Sequence, residues 1–246
     1  MIGIIGYGMV GKAVEYGFKN TPIIISDPQY NTTTIKDVLD ATPDAIFVCV
    51  PTPTDDTNYG LLKGILLELE SYTGLTVVKS TILPKHLEGF DVLYNPEFLS
   101  RATANNDFVN PPMLIIGGPE DKAKQLLALY KKYSTVMTDN VFLTDIPTAS
   151  LAKYTMNSFY ATKVTFMNSM YDVAQELGVD WNKVIPMLEA QPWMGTHHFQ
   201  VPGPDKQRGF GGPCLPKDTE ALVKEFNVEL LASVLSLNTT YRQQKD

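Results

Sequence analysis

The stretch MIGIIGYGMVGKAVEYGFKN, residues 1–20, limits the fold more than any other part of the chain. A short apolar run passes through glycines and continues with helical periodicity, and Gly6, Gly8 and Gly11 are spaced G-x-G-x-x-G immediately after the run. In a strand–turn–helix of this kind the first glycine permits the tight turn. The second lets a pyrophosphate approach the backbone, and the third lets helix and strand pack closely. The helix N-terminus, here Met9 and Val10, adds amides without intrahelical partners and a partial positive charge.

Glycine-rich turns are common, so the context decides. A second apolar strand, PIIISDP, ends in Asp27, 19 residues after Gly8. A carboxylate at about that distance accepts hydrogen bonds from an adenosine ribose and repels a 2′-phosphate. The expected cofactor is therefore NAD, held by Gly6, Gly8, Met9, Val10, Gly11 and Asp27. Further strands are expected at 44–51, 75–81, 91–97 and 112–118, with helices around 60–72 and 119–133. Strands alternating with helices predict an α/β fold: a Rossmann-type, doubly wound, mostly parallel sheet covered on both faces. Thr52 and Thr81 fall just past the C-terminal ends of two strands, where open α/β sheets bind ligands. Cys49 lies inside a continuous apolar strand and reads as a core thiol.

The net charge of −7 lacks the basic excess of a nucleic-acid binder. No apolar run approaches the ~20 residues of a membrane span, and the first residues carry no charged leader. Two cysteines, Cys49 and Cys214, make no disulfide framework, which fits a reducing cytoplasm.

From Pro147 to Gly178 the chain holds a single helical pattern, apolar over much of its circumference. A helix of this length is expected to link two domains and to pack against a partner subunit. The predicted organisation is a sheet domain over 1–145 and an all-helical domain over 146–246. Lys153 and Asn157, four residues apart, share a helix face. Spacing alone favours a solvated polar stripe.

RGFGGPCLPKD, residues 208–218, places Cys214 after a run of glycines and just ahead of a helix opened by Pro216. The helix N-terminus and Lys217 stabilise a thiolate, and Asp218 opposes them. The glycines are expected to leave space for a substrate to reach the sulfur. A dinucleotide cradle with a nucleophilic cysteine implies a four-electron oxidation: alcohol to aldehyde, thiolate addition, a second oxidation to a thioester, then hydrolysis.

Six segments in order, GIIGYGMVG, FVCVPTPT, VKSTILP, YNPEFL, LAKYTMN and GFGGPCLPKD, resemble the UDP-glucose/GDP-mannose dehydrogenase family. The resemblance implies oxidation of a nucleotide sugar, UDP-glucose first, to its uronic acid with NAD, in a cytoplasmic homodimer joined through the central helices. It makes Cys214 the nucleophile and Glu97 the base for thioester hydrolysis. Lys153 and Asn157 would stabilise the oxyanion, Asp218 would orient Lys153 or the water, and Thr81 would hold water near the nicotinamide. Thr52 would join the cofactor contacts. Phe98, Leu99, Phe210, Gly211 and Lys217 would line the sugar with Glu97, Lys153 and Asn157.

Three departures accompany the resemblance. The second nucleotide-binding domain usual in the family is not in this sequence, which makes Lys206 and Arg208 candidates for phosphate contact. Trp193 stands where many relatives have a sugar-contacting arginine, and Arg101 where they usually have glutamate. His197 and His198 adjoin, but without a second ligand pair zinc is not expected. Two other readings stay open. A two-electron β-hydroxyacid-type dehydrogenase would have no use for Cys214, and a catalytically silent binding protein would bind the nucleotide sugar without turnover.

Overall fold

The computed structural model describes residues 1–52 and 56–244, with side chains of the second segment from residue 59 onward. It divides into two compact units, Met1–Lys153 and Tyr154–Asp246.

The first unit is built on a seven-stranded sheet. Its strands are β1 (Ile2–Ile5), β2 (Ile23–Ser26), β3 (Ala45–Val48), β4 (Leu75–Val78), β5 (Leu93–Tyr94), β6 (Leu114–Gly117) and β7 (Val141–Thr144). They lie in the order β2-β1-β3-β4-β5-β6-β7. Only the β5–β6 pair is antiparallel. The central strands are buried at every position, as apolar runs covered on both faces must be. One face packs Phe18, Phe47, Phe108 and Tyr130 around Ile4 and Val77. The other packs Ile46, Val48, Leu62, Leu66 and Tyr94. This is the α/β Rossmann-type arrangement expected from the strand–helix alternation.

The helices of this unit are α1 (Met9–Gly17), α2 (Ile35–Asp40), α3 (Asp56–Glu68), α4 (Ala104–Val109) and α5 (Glu120–Tyr133). The strand expected at 91–97 shrinks to two residues: the Asn95 amide still bonds the Val78 carbonyl at 2.9 Å, and Pro96 has no N–H to continue the ladder. Strand β7 is an addition: its VFLT is apolar at three of four positions, but it is too short to be told from a loop and none of its residues is fully buried. The six-residue helices α2 and α4 are likewise too short for a periodic pattern.

Helix α6 (Ile146–Glu176) is continuous over 31 residues, and Gly178 beyond it has φ +65°. The second unit continues with α7 (Trp181–Glu189), α8 (Leu215–Phe226) and α9 (Glu229–Gln243), all helical as expected. Trp181, Met167, Ala174 and Phe199 form one core, and Ala161, Phe210 and Val234 another. Among the described residues no helix is long and apolar enough to cross a membrane.

Candidate active site

Within the sheet unit, the turn after β1 leads into α1, which has Gly8 as N-cap with no side-chain cap. Gly6 takes φ +88°, and a methyl on Gly11 would sit 2.2 Å from the Gly6 carbonyl oxygen, so both must be glycine for the turn to close. A methyl on Gly8 would meet nothing within 4 Å. The turn is therefore packed tightly behind and open in front. Asp27, just past β2, accepts from the Tyr7 amide through Oδ2 at 2.6 Å and from the Gln29 amide through Oδ1 at 2.8 Å. That contact brings the carboxylate beside the glycine turn, and a carboxylate with about four lone-pair sites retains acceptor capacity. These residues fit NAD: open glycine backbone and the first amides of α1 at Met9 and Val10 for the pyrophosphate, Asp27 for the ribose.

Thr52 and Thr81 lie beyond the C-terminal ends of β3 and β4. The buried Thr52 hydroxyl donates to the Thr81 carbonyl at 2.6 Å, and Ser80 Oγ donates to the Val50 carbonyl at 2.5 Å. The two strand ends are thus tied together, and the Thr81 side chain stays half-buried. Pro53 and Thr54, the end of the FVCVPTPT segment, lie outside the described residues. Cys49 is buried, and desolvation pushes its thiol up to about 12, as a core thiol requires.

Past β5 the chain runs Asn95-Pro96-Glu97-Phe98-Leu99. Glu97 and Lys153 are both buried, with side chains 9% and 4% exposed, and Lys153 Nζ lies 3.4 Å from Glu97 Oε1. The other carboxylate oxygen accepts from the Leu99 amide at 2.6 Å, and Lys153 Nζ lies 5.0 Å from the centre of the Phe98 ring. Leu99 packs against the core below. A buried carboxylate held by one ammonium and one amide is oriented and kept from forming other pairs. The polar-stripe reading of Lys153 and Asn157 fails, since both are buried.

A second buried cluster adjoins this one, and the sequence did not single it out. Lys79 Nζ donates to Asn95 Oδ1 at 2.9 Å, Tyr130 Oη donates to the same oxygen at 2.7 Å, and Asn95 Nδ2 donates to the Ile115 carbonyl at 2.6 Å. Lys79 and Glu97 line a common cavity of about 20 Å³, the size of one water. Burial lowers the Lys79 ammonium to about 8. The available signal was a lysine inside the apolar run LTVVKST.

In the helical unit, Cys214 is the N-cap of α8 and is half-buried. Its carbonyl accepts from the Asp218 amide at 2.9 Å, the first turn of the helix. Asp218 is fully buried; it accepts from Asn157 Nδ2 at 2.5 Å and pairs with Lys217. The structure thus places Lys217 and Asp218 in the turn that follows the cysteine, with Asn157 of α6 bonded to Asp218. In this unit Asp218 orients Asn157.

The loop ahead of Cys214 differs from expectation. A methyl on Gly209 would sit 2.4 Å from Asn238 Oδ1, and one on Gly211 would sit 1.9 Å from Arg242 Nη2. Those two glycines are filled by side chains of α9, and only Gly212 of the three has open space beside it. The Phe210 ring is buried against Ala161 and Val234, so any approach of this residue to a sugar is through backbone. Arg208, expected as a phosphate ligand, is also buried. Its guanidinium pairs with Asp172 at 2.7 Å and donates to Gln244 Oε1 at 2.6 Å and to the Asn168 carbonyl at 3.0 Å. It is a structural clamp, with its donors committed inside the unit. Lys206 holds an exposed turn at φ +60°. Trp193 is 95% exposed, and Arg101 and the two adjoining histidines are also exposed.

Comparison with known proteins agrees with these motifs. Residues 23–134 match the NAD binding domain of the UDP-glucose/GDP-mannose dehydrogenase family, and residues 147–240 match its central domain. A UDP-glucose 6-dehydrogenase of Haloferax volcanii is 30% identical over 220 residues, covering 78% of this chain and 50% of that protein. A GDP-mannose 6-dehydrogenase of Pseudomonas aeruginosa is 30% identical over 242 residues, covering 85% and 53%. The chain therefore spans about half the length of the curated relatives it matches. The fold is that of a UDP-glucose dehydrogenase structure from Pyrobaculum islandicum, with a TM-score of 0.81 at 24% identity, covering 97% of this chain and 68% of that one. Asp27 and Glu97 fall inside the matched NAD binding domain, and Lys153 and Cys214 inside the matched central domain; the glycine turn lies just ahead of the first match. The chain is a member of the UDP-glucose/GDP-mannose dehydrogenase family, with an NAD-binding Rossmann-type domain followed by the family's helical central domain.

Proposed function

We propose that this chain carries out the four-electron oxidation of a nucleotide sugar at its primary alcohol, UDP-glucose to UDP-glucuronate, through a thioester on Cys214. The observation that carries the reading is Cys214 at the N-cap of α8, with Asp218 in the first turn buried and bonded to Asn157. A core cysteine needs neither the cap position nor a buried, oriented amide beside it. Residues 1–145 bind the cofactor through Gly6, Gly8, Met9, Val10, Gly11, Asp27 and Thr52, and residues 146–246 carry the thiol chemistry.

NAD supplies the hydride acceptor for both oxidations. Cys214 Sγ, as thiolate, adds to the aldehyde carbon, and the oxygen takes a proton to give the thiohemiacetal. Loss of hydride from that carbon and of the hydroxyl proton leaves a thioester. Glu97 removes a proton from the attacking water, the C–S bond breaks, and the thiolate is restored as the acid leaves. Lys153 Nζ and Asn157 Nδ2, one turn apart on α6, stabilise the oxyanion. Asp218 fixes the Asn157 amide, so its donor geometry is set before reaction. Thr81 holds water near the nicotinamide. Lys217, Phe98 and Leu99 contact the sugar, with Phe210 and Gly211 offering only backbone.

Exposed Leu151, Phe159, Phe166 and Val173 on α6 support a homodimer joined through this helix, and two free cysteines fit the cytoplasm. The test is the NADH yield per UDP-glucose, with sugar limiting and NAD in excess, beside Cys214→Ser. Two NADH per sugar, with turnover lowered at least ~1,000-fold in the variant, is expected. One NADH, unaffected by the variant, would replace the reading with a two-electron dehydrogenase. A yield of two on GDP-mannose alone would keep the chemistry and change the substrate.

A further inference from the structure

The segment from Arg208 to Pro213 is irregular, its first three residues are buried, and buried backbone groups of an irregular segment must find partners. They find them on two asparagines. Asn238, on α9, accepts from the Phe210 amide at 2.6 Å through Oδ1 and donates to the Phe210 carbonyl at 3.0 Å through Nδ2. One side-chain amide thus satisfies both backbone groups of one residue, as a neighbouring strand would. Asn168, on α6, accepts from the Gly209 amide at 3.1 Å and from Arg208 Nε at 3.2 Å through one oxygen. Both asparagines are buried. Asparagine is a poor residue for a helix interior, and Asn238 stands in the middle of LASVLSLNTTY. Its contact with the loop accounts for it.

The glycines fit the same device. Gly209 has φ +71° and lies so close to Asn238 Oδ1 that no side chain fits, and Gly211 is covered by Arg242, which is itself held by Asp205 at 2.7 Å. Between this clamp and Cys214 stand Gly212, at φ +76° with open space beside it, and Pro213, whose ring fixes its own φ.

We propose that Asn238 is a positioning residue for Cys214: by holding the Phe210 peptide it fixes where the chain enters the cap of α8, and Gly209 and Gly211 exist to admit α9. The inference rests on Cys214 being the nucleophile.

The test uses Asn238→Ala and, independently, Gly209→Ala, which drives a methyl against the Asn238 oxygen without altering the asparagine. Displacing a reacting group by about 1 Å costs on the order of 100-fold in rate. We expect kcat to fall roughly that far in each, with KM for the nucleotide sugar changed less than about threefold. The double variant should be no slower than the worse single one. Alkylation of Cys214 by iodoacetamide across pH, resolved by peptide from Cys49, should change at least about threefold in rate or shift its midpoint. Normal kcat per folded molecule with an unchanged alkylation profile would overturn the proposal. If the wild-type protein turns over no nucleotide sugar, the functional reading fails while the alkylation profile still decides this one. If neither variant folds, amide exchange of the wild type decides. Phe210 should exchange as slowly as the middle of α9, and exchange at the rate of an open loop would overturn the clamp.

Discussion

Residues 6–11 and residues 209–212 are both glycine-rich turns that open a helix, and they use their missing side chains differently. In the first, Gly11 is pressed against the Gly6 carbonyl while Gly8 faces open space, so the turn is closed behind and free in front for a ligand. In the second, Gly209 and Gly211 are occupied by Asn238 and Arg242, and only Gly212 is open. One motif leaves space in front, as a cofactor would need; the other is mostly filled by its own chain. Two of the buried cations also differ, although Lys153 of the sheet unit is paired with Glu97. Lys79 in the sheet unit faces a neutral Asn95 oxygen and is pushed down to about 8 by burial, whereas Arg208 in the helical unit is paired with Asp172.

The largest expected effect comes from breaking the closed side of the first turn. In Gly11→Ala a methyl 2.2 Å from a carbonyl oxygen forces the backbone apart. A stability loss of about 3 kcal/mol, read from urea denaturation, and loss of NAD binding should follow.

A smaller effect tests the two cations. Lys79 falls from the ordinary 10.5 to about 8 in the folded chain, so between those values the unfolded chain binds more protons and stability rises with pH. From pH 7.5 to 9.5 this contributes about 2 kcal/mol. The wild type should gain that much relative to Lys79→Met in urea titrations at the two pH values. Equal slopes for the two proteins would mean that the ammonium is hydrated despite its burial.

The smallest effect sharpens the contrast between the turns. Gly8→Ala should leave stability within about 0.5 kcal/mol, since φ there is −75° and the added methyl meets nothing. NAD affinity should nevertheless fall roughly tenfold by titration calorimetry, because the methyl enters the space left for the pyrophosphate. Unchanged affinity would remove Gly8 from the cofactor site.

Much of the sheet unit was legible because its signals are local. β1, β3, β4 and β6 are continuous apolar runs, and Asp27 lies at a fixed distance from the glycines. β7 escaped because its apolar run, Val141 to Leu143, is only three residues long and sits between polar neighbours. Cys214, Asp218, Lys153 and Glu97 drew notice because they stand in motifs of the resemblance, whereas spacing alone put Lys153 on a solvated face and the structure buries it. The parts that escaped are held by partners distant in sequence: Lys79 by Asn95, 16 residues on, Asn95 by Tyr130, 35 residues on, and Phe210 by Asn238, 28 residues on. The glycines before Cys214 were misread for the same reason. A glycine announces that a side chain is excluded, but not whether a ligand or another helix excludes it.

The central claim is that oxidation passes through a covalent bond to Cys214, and slowing hydrolysis exposes it most directly. Glu97→Gln is mixed with UDP-glucose and NAD, quenched in acid, and the peptides are weighed. The account predicts a sugar acyl group on the peptide that contains Cys214 and none on the peptide that contains Cys49. NADH formed with no mass added at Cys214, in a variant that no longer releases acid, would contradict it.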